Sequence, residues 1–235
     1  MQVTPFSGAL DCRYTKEYAM SAADLSSTGA ATERTVEHEV DDAPSIGDPA
    51  ALGLPCFVVG SLSLGLALVG VVPATALGAA VPIILTATSV GLFVATIWAA
   101  WVHQSAVASV FGIFGGFWLS FAILIIGLNH TWFGVLLPSA VQDATLLFLL
   151  AWMIVMFMLT VATLRLPAAF TAVFALVTAA LVLVYIGTDQ LNTNVLMAAG
   201  AVVLVFAVIG MYLYFSTVSI ATGGRALPLG RPILR

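Results

Sequence analysis

The stretch IGDPAALGLPCFVVGSLSLG, residues 46–65, is where the chain changes from polar to apolar. Residues 1–48 hold nine of the eleven acidic residues, whereas residues 49–224 hold only three charged residues: Asp143, Arg165 and Asp189. The chain is 61% hydrophobic and 8% charged, with a mean hydropathy of +1.12. Soluble domains carry about a quarter charged residues, so this composition excludes a soluble globular protein. The net charge of −4 comes from the tail and does not indicate a nucleic-acid partner.

Six apolar segments follow Pro49, each close to the roughly 20 residues that one helical membrane span needs. Pro138 lies in the third connection, Pro167 fits the first turn of the fifth helix, and GTDQLNTN, residues 187–194, forms a polar turn. The sequence therefore predicts an all-α membrane protein with six transmembrane helices. The predicted spans cover residues 50–72, 78–102, 107–128, 144–164, 167–187 and 193–217.

The charged residues predict the domain organisation and the orientation. We expect residues 1–47 to form a disordered acidic tail, residues 48–222 the six-helix domain, and residues 223–235 a short basic tail. With six spans, every arginine near a span end lies on one side of the membrane. The positive-inside rule then predicts a multi-pass protein of the cell membrane with both termini in the cytoplasm. The arginines on that side are Arg165, Arg225, Arg231 and Arg235.

No motif typical of an enzyme occurs in the chain. It has no HExxH pair, no nucleophile elbow and no P-loop. His103 and His130 lie near opposite ends of spans and cannot easily share a metal ion. We therefore expect a protein that is not an enzyme and that uses neither a metal nor a cofactor.

The start of the first helix allows two interpretations. Asp48 can cap the helix, and Pro49 fits its first position. Gly53 then removes a side chain and Pro55 a backbone donor. One interpretation is a loosened helix start whose exposed amides face a water-filled cavity and suit a small anion. The other is an ordinary kinked and well-capped helix.

A family resemblance begins in the same stretch. DPAALGL, residues 48–54, resembles the Asn-Pro-Ala-Pro-Leu-Gly-Leu signature of the acetate uptake transporter family, the YaaH-type succinate–acetate permeases. FGGFWLS, residues 114–120, is similar to a Tyr-Gly-x-Phe-Trp-Leu stretch in the third span of that family. The resemblance runs in order from residue 48 to about residue 230. Its other parts are TLR at residues 163–165, YIGT at 185–188 and GGRALPLG at 223–230.

The resemblance implies a cyclic homo-hexamer of six-helix protomers in the lipid bilayer. Each protomer would have its own pathway for a small monocarboxylate such as acetate, and possible substrates include succinate. An apolar constriction would be formed by Phe57, Phe114 and Val177, where the family usually has Tyr in place of Phe114 and Leu in place of Val177. The pathway residues carried over by position are Asp48, Pro49, Leu52, Gly53, Leu54, Phe57, Phe114 and Val177.

The chain departs from the family in ways that bear on proton coupling. Asp48 stands where the signature has Asn, and Val102 and His103 stand where the family commonly has an acid near the inner end of the second helix. An ionised carboxylate enters a low-dielectric path only at a high energetic cost unless it is neutralised. His103 is a candidate proton-responsive group, or else an interfacial histidine in contact with water. The sequence leaves open whether protons are partners in a symport or the path is a passive channel.

Two other functions remain open at this point. The missing acids and the apolar constriction also suit a passive channel for small neutral solutes such as urea, ammonia or undissociated acid. A non-transporting membrane scaffold or sensor, signalling through the acidic tail, is the third hypothesis. Solute flux through the purified protein in liposomes separates transport from scaffolding, and the pH and voltage dependence of that flux separates the two kinds of transport.

Overall fold

The computed structural model describes residues 47–73 and 78–234, and within these ranges it contains helices and no strand. Six helices are long and apolar enough to cross a membrane, which confirms the predicted all-α class and the number of spans. The predicted tail, except for Gly47, lies outside the described residues. The spans are α1 (Ala50–Leu68), a second span (Gly78–Trp101) that ends in α2 (Gly91–Trp101), α3 (Ser105–Asn129), α4 (Pro138–Ala162), α5 (Ala168–Asp189) and α6 (Thr193–Ala221).

Hydrogen bonds satisfy the free backbone N–H groups at the start of α1. The Asp48 carboxylate accepts from the Ala50 N–H at 2.9 Å, and the Asp48 carbonyl accepts from the Ala51 N–H at 3.0 Å. Pro49 has helical backbone angles, φ −56° and ψ −24°. The Gly53 N–H then bonds to the Pro49 carbonyl, and the helix continues through Pro55. The structure therefore has the well-capped start rather than the loosened one.

The second span is not a uniform α-helix. A π-helix covers Ile83–Val90, and α2 follows directly. The Ser89 hydroxyl donates to the Ile84 carbonyl five residues earlier, at 2.7 Å, the same separation as in the backbone bonds of a π-helix. Gly60 of α1 faces this segment so closely that a Cβ there would lie 2.6 Å from Thr88 Oγ1. Nothing in the sequence analysis predicted the π-helix.

Two predicted boundaries need correction. Pro138 does not lie in a connection but is the first residue of α4, where its missing N–H leaves no hydrogen bond unmade. The predicted polar turn at residues 187–194 is shorter, because α5 runs to Asp189 and α6 begins at Thr193. The Gln142 side-chain amide of α4 donates to the Thr188 and Asp189 carbonyls, at 2.9 and 3.1 Å. This contact connects the start of α4 to the end of α5.

The helices form a ring in chain order. Each span packs against the next, and α6 packs against α1 through one of the most extensive interfaces of the bundle. Small residues allow the close approach of these two helices. A Cβ on Gly200 of α6 would lie 2.9 Å from the backbone nitrogen of Val69, immediately after α1.

Candidate functional site

A wide cavity of about 380 Å³ opens at one end of the bundle. Its walls come from α1, α3, α5 and α6, and no residue of α2 or α4 lines it. Asp48 before α1, Gln104 before α3 and Leu229 after α6 all contribute, so the starts of α1 and α3 and the end of α6 share this end. The volume is within the range of small-molecule sites and leaves room for water beside a two-carbon solute.

Four phenylalanine rings form a row, and three of them, Phe57, Phe114 and Phe174, line the wide cavity. The Phe57 ring meets the Phe114 ring edge to face, with centroids 4.8 Å apart. Phe206 stacks on Phe57 and Phe174 stacks on Phe114, each with centroids 5.8 Å apart. All four side chains are buried, with exposed fractions of 4–5%. This phenylalanine row, residues 206, 57, 114 and 174, links α6, α1, α3 and α5 in that order.

A narrow cavity of about 30 Å³ lies beyond the phenylalanine row. The same four helices, α1, α3, α5 and α6, line it, and Phe57 and Phe114 border both cavities. Its other walls include Val177 and Trp118. The Trp118 indole N–H is buried and has no hydrogen-bond acceptor among the described residues. The narrow cavity has room for one or two water molecules.

The wide cavity is apolar except at four residues, which are Asp48, Gln104, Ser216 and Thr217. Asp48 is the only one of its lining residues that carries a formal charge at neutral pH. Thr217 donates its hydroxyl hydrogen to the Leu213 carbonyl of its own helix, at 3.2 Å. The electrostatic character of this cavity therefore depends on one carboxylate and a few neutral dipoles.

The segment after α6 completes the cavity wall. It folds back across the ends of α5 and α6, where the Tyr212 hydroxyl donates to the Pro228 carbonyl at 2.9 Å. The Ala169 N–H donates to the Leu229 carbonyl at 3.0 Å, and this bond holds Leu229 at the start of α5. The GGRALPLG stretch, residues 223–230, is thus in contact with the site.

The residues predicted from the sequence separate into two groups. Asp48 and Leu54 line the wide cavity, Val177 lines the narrow cavity, and Phe57 and Phe114 line both. Pro49, Leu52 and Gly53 line neither cavity.

Gly53 lies behind the cavity wall. A Cβ at Gly53 would overlap the ring of Phe111, which does line the wide cavity. Gly53 therefore provides the space that the Phe111 ring occupies.

His103 lies outside both cavities, in the exposed turn between α2 and α3. Its φ of +59° is the left-handed conformation that usually ends a helix. The His103 N–H bonds to the Ala100 carbonyl at 3.2 Å, and the Gln104 N–H bonds to the Ala99 carbonyl at 2.8 Å. These two bonds form a Schellman motif, which explains the position of His103 without a role in proton transfer. Such a role stays a prediction.

Five residues of the site were not predicted from the sequence: Phe174, Phe206, Gln104, Ser216 and Leu229. One of them could have been found from helical spacing, since Phe174 lies one turn before Val177 on α5 and residues three apart share a helix face. Phe206 lines the narrow cavity from α6, a helix in which no pathway residue was predicted. The remaining three carry no such signal in a single sequence.

Comparison with known proteins gives a family match and a curated relative. The model of the GPR1/FUN34/yaaH family matches residues 33–223. "Accumulation of dyads protein 2" of Saccharomyces cerevisiae is 30% identical over 190 residues, which are 79% of this chain and 65% of that protein. The chain thus spans slightly less than two thirds of the length of this curated relative.

A solved structure shares the fold. The bacterial acetate channel SatP superposes with a TM-score of 0.69 at 21% sequence identity, over 78% of this chain and 99% of the SatP chain. The family match and this likeness confirm the resemblance that was drawn from the motifs. They also agree with the prediction of a transmembrane protein that is not an enzyme.

Proposed function

This chain belongs to the GPR1/FUN34/yaaH family, and we propose that it conducts small monocarboxylates such as acetate across the membrane. The path would run inside one protomer, from the wide cavity through the phenylalanine row to the narrow cavity. The name of the SatP structure, an acetate channel, supports this choice of substrate.

One observation carries the proposal: two cavities lie between the same four helices and share the Phe57 and Phe114 side chains. A scaffold or a sensor has no need for two aligned cavities in its interior. The rings that separate the cavities are apolar, and a narrow apolar constriction blocks ions and polar solutes by excluding water. The arrangement is that of a closed hydrophobic gate.

The contact between the Phe57 and Phe114 rings means that conduction requires movement. Edge-to-face aromatic pairs are stabilised by about 0.5–1.5 kcal/mol beyond their buried area, so opening the gate costs this energy in addition to any burial that the rings lose. Rotation of either side chain would connect the two cavities. Solutes the size of acetate need less displacement of these rings than longer or branched acids do, and we infer that the gate favours them for this reason.

The orientation and the assembly are further parts of the proposal. We infer that the wide cavity opens to the cytoplasm, because Arg165 lies directly beside its lining residue Leu166 and the positive-inside rule applies. The family resemblance supports a cyclic hexamer and a place in the cell membrane. Native mass spectrometry of the purified protein in detergent gives the number of subunits, and labelling of an added cysteine at Arg231 in intact cells gives the orientation.

Uptake of labelled acetate into liposomes tests the function. At about pH 6 both acetate ion and a small fraction of undissociated acid are present, since carboxyl groups titrate near pH 4, and protein-free liposomes measure the leak of the acid through the lipid. We expect faster uptake into liposomes that contain the protein than into protein-free liposomes. Equal rates, with the protein shown to be inserted and folded, would refute transport and leave the scaffold hypothesis.

A variant that blocks the gate provides the matched control. Phe57→Trp adds volume at the point that both cavities share. We expect this variant to insert normally and to carry less acetate than the unmodified protein. Faster uptake by the blocked variant would place the path elsewhere in the protein.

A further inference from the structure

We propose that the wide cavity selects uncharged solutes that carry both a hydrogen-bond donor and an acceptor, and that Asp48 is the residue that rejects anions. The inference rests on the proposed transport function and specifies the form in which the solute enters. Undissociated carboxylic acids and small amides belong to this class, and carboxylate anions do not.

The only formal charge among the residues that line the wide cavity is negative and belongs to Asp48. Asp48 is exposed, and no lysine, arginine or histidine is among the described residues that line the cavity from α1, α3, α5, α6 or the segment after α6. Arg165 and Arg225 lie near the same end of the bundle but do not line the cavity. An entering anion therefore meets a negative charge and no cation in the wall.

The size of this repulsion follows from Coulomb's law. For two unit charges roughly 8 Å apart, effective dielectric constants from about 80 down to about 20 lower the occupancy of an anion by roughly twofold to thirtyfold. A neutral solute is not subject to this effect. The Asp48 carboxylate thus discriminates between the two forms of the same acid.

Two neutral polar side chains of the cavity wall, Ser216 and Gln104, can donate hydrogen bonds to a solute. Ser216 is 3% exposed, and its oxygen accepts from the Leu227 N–H at 3.2 Å. The Ser216 hydroxyl hydrogen has no acceptor among the described residues, and the side-chain amide of Gln104 makes no hydrogen bond with them. Both residues line the cavity, so both can donate to a carbonyl oxygen inside it.

These groups together complement an undissociated carboxyl group. Its O–H can donate to the Asp48 carboxylate, and its C=O can accept from Ser216 or Gln104. Acetamide offers the same pair of functions through its N–H and C=O groups. An acetate ion can only accept, so it would offer no further donor to the Asp48 carboxylate and would face its like charge.

Acetamide is the probe for the test, because it is uncharged at every working pH. Its permeability is measured by osmotic swelling of liposomes, and acetate conduction is measured as current across a planar bilayer at about pH 8, where acetate is ionised. Asp48→Asn is the test variant, since asparagine caps a helix as well as aspartate does. Asp189→Asn is the control, since this exposed acid at the end of α5 lines neither cavity.

We expect the unmodified protein to pass acetamide and to carry little acetate current. In Asp48→Asn the ratio of acetate to acetamide permeability should rise by about tenfold. Adding an impermeant salt screens the Asp48 charge, so the difference in this ratio between the unmodified protein and Asp48→Asn should become smaller. Asp189→Asn should keep the ratio of the unmodified protein.

Three results would overturn the inference. An unmodified protein that carries as much acetate current as Asp48→Asn would show that Asp48 rejects nothing. Exclusion of acetamide together with passage of acetate would show an anion path and would leave the proposed transport function intact. If neither solute moves through any folded variant, the transport function is overturned, and the inference with it.

Discussion

Truncation of the Phe57 side chain tests whether this ring gates the path or only packs against its neighbours. In Phe57→Ala the ring that both cavities share is lost, so the wide and narrow cavities should join. Removing a buried phenylalanine costs about 3–5 kcal/mol. Because the Phe57 ring already borders empty space on two sides, it makes fewer contacts than a fully packed ring. We therefore expect a loss of about 3 kcal/mol, at the low end of this range.

Phe148→Ala is the matched comparison. Phe148 packs in a cluster with Phe117, Phe121 and Trp152, with centroid distances of 5.9–6.4 Å, and lines neither cavity. A loss of about 3 kcal/mol lowers the melting temperature by roughly 6–12 °C in a domain of this size. Thermal unfolding in detergent should show a shift in this range for Phe57→Ala and a smaller shift for Phe148→Ala, because Phe148 is only partly buried.

The transport readout should differ between the two. The measurement is the ratio of labelled lactate uptake to labelled acetate uptake in liposomes at about pH 6, where both forms of each acid are present, with the leak into protein-free liposomes subtracted. The ratio should rise for Phe57→Ala, less for Phe114→Ala, and not for Phe148→Ala. The reasoning is refuted if a folded Phe57→Ala protein keeps the parent ratio, or if Phe148→Ala raises the ratio as much.

Three further predictions concern packing, the turn at His103 and the tail. Gly200→Ala should lower the free energy of unfolding by about 1–3 kcal/mol, because its Cβ would lie 2.9 Å from the Val69 backbone nitrogen. Gly116→Ala is the control: the nearest contact of its Cβ is at 3.5 Å, so its melting temperature should stay within a few degrees of the parent. His103→Gly should raise the melting temperature slightly, since glycine adopts the φ of +59° without strain. His103→Gln should leave the pH dependence of acetate flux unchanged. A flatter dependence of flux on pH in His103→Gln would instead support a proton-responsive role for His103. Deletion of residues 1–44, which precede the six-helix domain in the sequence, should leave insertion and acetate uptake intact, and a truncated protein that inserts normally but carries nothing would contradict this expectation.

The number of spans could be predicted because a bilayer requires long apolar stretches, and the chain interrupts them with prolines and polar turns. The start of α4 was placed too late because Gln142 and Asp143 look like loop residues. In the structure they lie in α4, and the Gln142 side chain satisfies two carbonyls at the end of α5. Polar residues at a membrane boundary can therefore belong to a helix when they bond to a neighbouring one.

The inward faces of the helices could not be read from the sequence. A helix that is apolar on all sides carries no periodic signal for the side that faces its neighbours. Phe57 and Phe114 were identified through motifs and Phe174 lies one turn from the predicted Val177, whereas Phe206 became visible only when α6 was placed beside α1. Ser216 and Leu229 meet in one cavity wall because the segment after α6 folds back, and this return depends on tertiary contacts.

The π-helix in the second span affects how this sequence should be aligned with others. A π-turn joins residues five apart instead of four, so it takes in more residues per turn than an α-helix does. A relative whose second span is α-helical throughout would need fewer residues to reach the position of Gly91. The gap in such an alignment belongs within Ile83–Val90 and not in the connection after Trp101. An alignment that moves the gap to the connection would pair Thr88 and Ser89 with residues on a different helix face, and a structure-based alignment avoids this error.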